Sequence, residues 1–163
     1  MTAPGMQGEG GAEGASRVTA AEFEALVREQ VPHVGGLGVE VLALGPGTSV
    51  LRLPFRDDLL RPGGTVTGPA LFGLADVALY GAVLSRIGRV ELAVTTSMTI
   101  NFLRRPPPGP VTASARLLKL GRRLAYGEVL LFSGDRADAA PDGEDDGPVA
   151  HATGTYSIPP ERG

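Results

Sequence analysis

The chain has 163 residues, 42% of them hydrophobic, and a formal charge of −3 from 15 basic and 18 acidic side chains, which fits one compact domain with a sizeable core. It contains no cysteine and only two histidines, His33 and His151. Disulfides, thiolate catalysis and iron–sulfur clusters are excluded, and a His-based triad or metal cluster has almost no raw material. Any chemistry must rest on carboxylates, hydroxyls and backbone amides, so no metal or redox cofactor is expected.

Residues 1–17 are Gly/Ala-rich with little to bury and are expected to be a disordered leader, with a single domain over 18–160. Thr19 followed by Glu22 has capping-box spacing, and Phe23, Leu26 and Val27 give a short amphipathic helix that Pro32 ends. Val- and Leu-rich runs over 38–44 and 49–55, split by Gly45-Pro46-Gly47, read as a hairpin. A long helix follows between Gly68 and Arg86, with Pro69 at its first turn and Gly88 beyond its end; it is apolar on nearly every face and must be wrapped.

Val94, Thr96, Met98, Ile100 and Phe102 alternate with Thr95, Ser97, Thr99 and Asn101, which predicts a long strand with those four polar residues on one face. Strands over 111–120, 122–132 and 149–158 complete the set. Helix, two strands, one buried helix and four long strands make an α+β fold, an antiparallel sheet curled around the central helix.

Residues 135–147 form an acidic insertion, read as a flexible loop; its net charge of −5 leaves the rest of the chain at +2. That mildly basic body suits an anionic ligand. No basic stripe is interleaved with aromatics, so nucleic acid is not an expected partner. No run of about 18 consecutive apolar residues is present, so no membrane partner is expected and the protein reads as cytoplasmic.

Asp76 is the one charged side chain between Gly68 and Ser85. A carboxylate in such surroundings costs several kcal/mol unless it is hydrogen-bonded or paired, and the helix has no Lys, Arg or His three or four residues away. It therefore either bonds a facing hydroxyl or an interface, or it does chemistry. Two turns into a helix whose first amides can hold an oxyanion, a carboxylate that activates water or attacks a carbonyl is sufficient for acyl transfer.

The segment Thr67-Gly68-Pro69-Ala70-Leu71-Phe72-Gly73-Leu74-Ala75-Asp76-Val77-Ala78 resembles the His-Gly-Gly and Leu-Ala-Asp-x-Ala signature of hotdog-fold acyl-CoA thioesterases of the PaaI type. Ile100-Asn101-Phe102-Leu103, Lys119-Leu120-Gly121-Arg122-Arg123-Leu124 and Val149-Ala150-His151-Ala152-Thr153-Gly154-Thr155-Tyr156 extend the likeness, which runs from about Val18 to Pro159. The resemblance implies a curved sheet around the central helix, a homodimer paired edge to edge and a homotetramer as a dimer of dimers, with an acyl-CoA thioester bound between subunits. It also implies Asp76 as general base or nucleophile, the Gly68 N–H as oxyanion donor, and Thr95 reaching the site from the partner subunit to orient water. Thr67 stands where the family has His, Pro69 replaces its second glycine, and Arg61 stands where many members have a carbonyl-binding Asn.

Thr67, Arg61, Tyr80, Arg104, Arg122 and Arg123 are the candidate substrate-binding residues. The arginines, with Arg105, offer guanidinium forks for CoA phosphates, or are solvated strand ends. Tyr80, one turn past Asp76, lines an acyl pocket or packs in the core. His33 and His151 read as a loop residue and a packed or interface residue. The expected activity is hydrolysis of an aryl or medium-chain acyl-CoA. The alternatives are a non-catalytic acyl-CoA-binding protein and a 3-hydroxyacyl-thioester dehydratase, whose Asp-x4-His pair would need His where Gly81 stands.

Overall fold

The computed structural model describes residues 14–135 and 147–161. Most of the leader and of the acidic insertion lies outside the described residues. Elements follow in the order α1 (Ala20–Gln30), a short α2 (Pro32–Gly35), β1 (Glu40–Gly45), β2 (Thr48–Leu53), two-residue strands β3 (Leu60–Arg61) and β4 (Thr65–Val66), α3 (Gly68–Ile87), β5 (Val94–Phe102), β6 (Val111–Leu120), β7 (Leu124–Ser133) and β8 (Ala150–Ser157). The six long strands form one antiparallel sheet in the order β1-β2-β6-β7-β8-β5. The α+β reading with one central helix is what the structure has.

Local chemistry explains the starts and stops. Thr19 Oγ1 accepts from the Glu22 amide at 3.1 Å and the Glu22 carboxylate accepts from the Thr19 amide at 2.8 Å, the capping box read from the sequence. Gly88, at φ 85°, ends α3 in a conformation that a side chain would resist. Ahead of Val18, the Arg17 amide donates to the Ser85 carbonyl at 2.8 Å, one of the carbonyls α3 leaves unpaired at its C-terminal end.

α3 has the length and hydropathy of a membrane span, yet 72% of its 18-residue apolar stretch is buried inside the domain. The sheet accommodates it through missing side chains. Gly127 and Gly154 are register partners on β7 and β8, and Leu79 of α3 sits against both: a Cβ at either glycine would lie 2.6 or 2.8 Å from a Leu79 methyl. Gly81 similarly makes room for Phe23 of α1, whose ring would be 2.8 Å from a Cβ there. Ser49 of β2 donates to the Ala78 carbonyl at 2.5 Å, tying sheet to helix.

The other face of the sheet is polar and charged at its centre. Arg116 and His151 both hydrogen-bond the Glu128 carboxylate, at 2.7 and 3.0 Å. The His151 bond, then the Arg116 bond, hold Glu128 below the usual carboxylate range. His151 is thus a packed sheet residue, and His33 is exposed on α2.

Among the described residues β5 is an end strand with no partner on its outer edge. Its flanks carry exposed apolar side chains: Leu92 at 69%, Val94 at 57%, Phe102 at 54% and Leu103 at 55%.

Candidate active site

Asp76 projects from the middle of α3 and is half-buried. Its Oδ1 accepts two hydrogen bonds, from Thr95 Oγ1 at 2.6 Å and from the Tyr156 hydroxyl at 2.6 Å; the same hydroxyl lies 2.9 Å from the Asp76 carbonyl oxygen. Hydrogen bonds to a charged acceptor contribute about 1.5–3 kcal/mol each, enough for two of them to offset much of the burial cost. Among the described residues nothing donates to Oδ2 and no cation pairs with the carboxylate. One oxygen is held and the other is open.

Asp76 lines a cavity of about 190 Å³ together with Tyr80, Thr95, Tyr156, Val77 and Glu91. Tyr80 and Tyr156 stack with centroids 5.9 Å apart and planes at 11°, while Phe23 meets Tyr80 edge-on at 5.7 Å. The Tyr80 hydroxyl donates to the Glu91 carbonyl at 3.1 Å. Burial, with the nearby Glu91 charge adding to it, pushes the Tyr80 phenol up to about 12. Burial and then the Asp76 charge push Tyr156 further above the ordinary tyrosine range.

Thr95 arrives there by a route that the alternation does not show. The register of β5 against β8 shifts between Thr95 and Ser97, so Thr96 is the extra residue of a β-bulge. Thr95 pairs with Tyr156, on the helix side, whereas Ser97, Thr99 and Asn101 pair with Thr155, Thr153 and His151, on the opposite side. The expected single polar face is corrected: Thr95 leaves it and joins Met98 and Ile100 on the half-buried side. A second correction concerns its origin. Thr95 meets Asp76 of its own chain, because the bulge aims it inward, and so needs no partner subunit to get there.

The remaining candidates lie in four other places. Thr67 is the N-cap residue of α3, with no capping bond from its side chain, and its amide donates to Leu59. Gly68 opens the helix beneath the Phe102 ring, which a Cβ there would approach to 3.2 Å. Eight residues separate Gly68 from Asp76, a rise of about 12 Å along the helix, so the two do not meet in one chain. Arg61 is exposed on β3, and Arg104 lies past β5 with its guanidinium over Gly147.

Arg122 and Arg123 occupy the β6–β7 turn and line a larger cleft of about 1380 Å³, together with Arg17, Arg86 and Arg89. Five guanidinium groups there face two carboxylates, Glu91 and Glu161, and Arg89 is paired with Glu91 at 2.5 Å. Glu91 also lines the Asp76 cavity, so the two spaces adjoin. Among the described residues no group of three His, Asp or Glu side chains could hold a metal ion.

Tyr156 and three arginines escaped sequence reasoning as site residues. Tyr156 appears there only as part of a resembling segment, although its place on the buried face of β8 is readable from the alternation of that strand. Arg17, Arg86 and Arg89 are scattered along the chain and converge only in the fold.

The sequence pattern of the thioesterase superfamily matches residues 63–140. A solved structure of a candidate thioesterase from Silicibacter sp. TM1040 is 42% identical, covers 91% of this chain and 97% of its own, and superposes with a TM-score of 0.74. A point variant of the phenylacetic acid degradation protein PaaI from Thermus thermophilus is 32% identical, covering 78% of this chain and 99% of its own, with a TM-score of 0.65. A candidate esterase of Saccharolobus solfataricus is 32% identical over 99 residues, 61% of this chain and 65% of its own length. With a central helix wrapped by six antiparallel strands, and with two solved structures above 30% identity matched over nearly their full length, the chain belongs to the thioesterase superfamily as a hotdog-fold protein of the PaaI type.

Proposed function

We propose that this protein hydrolyses acyl-CoA thioesters, with Asp76 as general base. The observation that carries this reading is the state of the carboxylate: it lines a cavity, two hydroxyls hold Oδ1, and no cation among the described residues neutralises it. Oδ2 takes a proton from water as the oxygen adds to the thioester carbonyl. The tetrahedral intermediate expels the thiolate, which recovers that proton, leaving free acid and thiol.

The oxyanion donor comes from a second copy. β5 offers a nine-residue edge, unpaired among the described residues, with apolar flanks. Antiparallel pairing of two β5 edges about a two-fold axis sets the Phe102 end of one strand beside the Thr95 end of the other. Gly68 lies under Phe102, so this pairing carries Gly68 of the partner subunit toward Asp76. The Gly68 amide opens α3 without an acceptor among the described residues, ready for a developing negative charge. Homodimer pairing is the minimum assembly, and two such dimers would give the tetramer.

Gly68→Pro tests this donor, since it deletes the N–H at a helical position where proline fits, after a Thr67 already extended at ψ 143°. Turnover is expected to fall by about 10²–10³. When Gly68→Pro chains are mixed and re-assembled with Asp76→Asn chains, mixed dimers regain one intact site of two. Activity that returns in the mixture supports a shared site; no recovery over either parent rejects it.

The arginine cleft suits the CoA nucleotide, with Arg122 and Arg123 as phosphate ligands. An Arg122→Ala, Arg123→Ala double variant is expected to raise KM for acyl-CoA by about tenfold or more while leaving KM for a pantetheine-truncated thioester unchanged. Equal effects on both substrates would place the nucleotide elsewhere. Thiol release over a panel of aryl and aliphatic CoA esters tests the activity itself; tight acyl-CoA binding without release would make the protein a binder. A dehydratase is disfavoured sterically, because position 81 has no space even for a Cβ beside Phe23.

A further inference from the structure

Tyr156 and Thr95 are register partners on neighbouring strands, and both hydroxyls converge on one oxygen of Asp76. Tyr156 is 3% exposed and its ring is fixed by stacking on Tyr80. We propose that Tyr156 is a positioning residue for hydrolysis: by donating to Asp76 Oδ1 it fixes the carboxylate so that Oδ2 faces the water to be activated. The assignment rests on Asp76 being the general base.

A carboxylate on a helix turns about two side-chain torsions, and a single hydrogen bond leaves rotation about that contact. Tyr156 closes the freedom by reaching both Oδ1 and the Asp76 carbonyl oxygen, which ties side chain and helix backbone to one rigid point. The phenol is also a constant donor. Burial and then the Asp76 charge hold the phenol above the ordinary tyrosine range, so its O–H remains available as a donor. Tyr80 differs although it shares the stack, since its hydroxyl is spent on the Glu91 carbonyl. The site therefore separates the two oxygens of one carboxylate into an anchored atom and a working atom.

Tyr156→Phe keeps the stacked ring and removes the donor. In the full chain kcat is expected to fall by about 10- to 100-fold, with KM for the same acyl-CoA nearly unchanged, because the bond acts on the base and not on the substrate. Thr95→Val acts on the same oxygen without disturbing the stack, and the double variant should depart from the product of the two single effects. Wild-type kcat in Tyr156→Phe, or a loss carried entirely by KM, overturns the assignment. If Tyr156→Phe does not fold, strictly wild-type kcat in Thr95→Val overturns it instead. An inactive Asp76→Asn beside a fully active Tyr156→Phe removes Tyr156 alone, whereas an active Asp76→Asn removes the base and its positioning residue together.

Discussion

Asp76→Asn is expected to lower thioester turnover by about 10²–10⁴, the range that a positioned general base supplies. The amide keeps the size of the side chain and an Oδ1 that still accepts from Thr95 and Tyr156, so the fold should remain. Circular dichroism and size-exclusion profiles should match the parent within error. Thiol release followed over time, at saturating acyl-CoA, is the measurement. Turnover that survives intact would take Asp76 out of the reaction, and the two hydroxyls around it would then only compensate a buried charge.

The largest effect on stability is expected at Gly127. A Cβ there lies 2.6 Å from the Arg116 carbonyl oxygen as well as from a Leu79 methyl. The methyl can turn away, but the carbonyl is main chain in the β6–β7 ladder and cannot. Gly127→Val should therefore cost about 3 kcal/mol and lower Tm by roughly 5–10 °C. Gly73→Ala makes the contrast within α3, since its Cβ would meet only Val34 at 3.6 Å; removing a helical glycine there should stabilise by about 0.5–1 kcal/mol. Differential scanning calorimetry decides both, and equal melting points for parent and Gly127→Val would contradict the close approach of helix and sheet.

Features set by neighbours in the chain were legible beforehand. The Thr19 capping box, the proline and glycine bounds of α3, and the alternation of β8 each depend on residues a few positions apart. The exceptional acid in an apolar helix was legible for the same reason. What stayed hidden depends on distant partners or on indistinguishable chemistry. Tyr156 and Asp76 are 80 positions apart. The bulge at Thr96 falls within Thr95-Thr96-Ser97, three small hydroxyl residues that read alike in either phase of a strand, so composition could not reveal which one points inward. Arg17 belongs to the domain through its main-chain amide, a donor that every residue but proline possesses, and nothing in its side chain announces that.

The inserted residue in β5 has a consequence for how such a protein can change over time. Upstream of it Thr95 bonds Asp76; downstream, the opposite rank of Ser97, Thr99 and Asn101 faces away from Asp76. Drift in that outer rank can alter solubility while the contacts of Asp76 with Thr95 and Tyr156 keep their geometry. One misaligned step in a ladder thus lets two selective pressures act on a single strand with little interference.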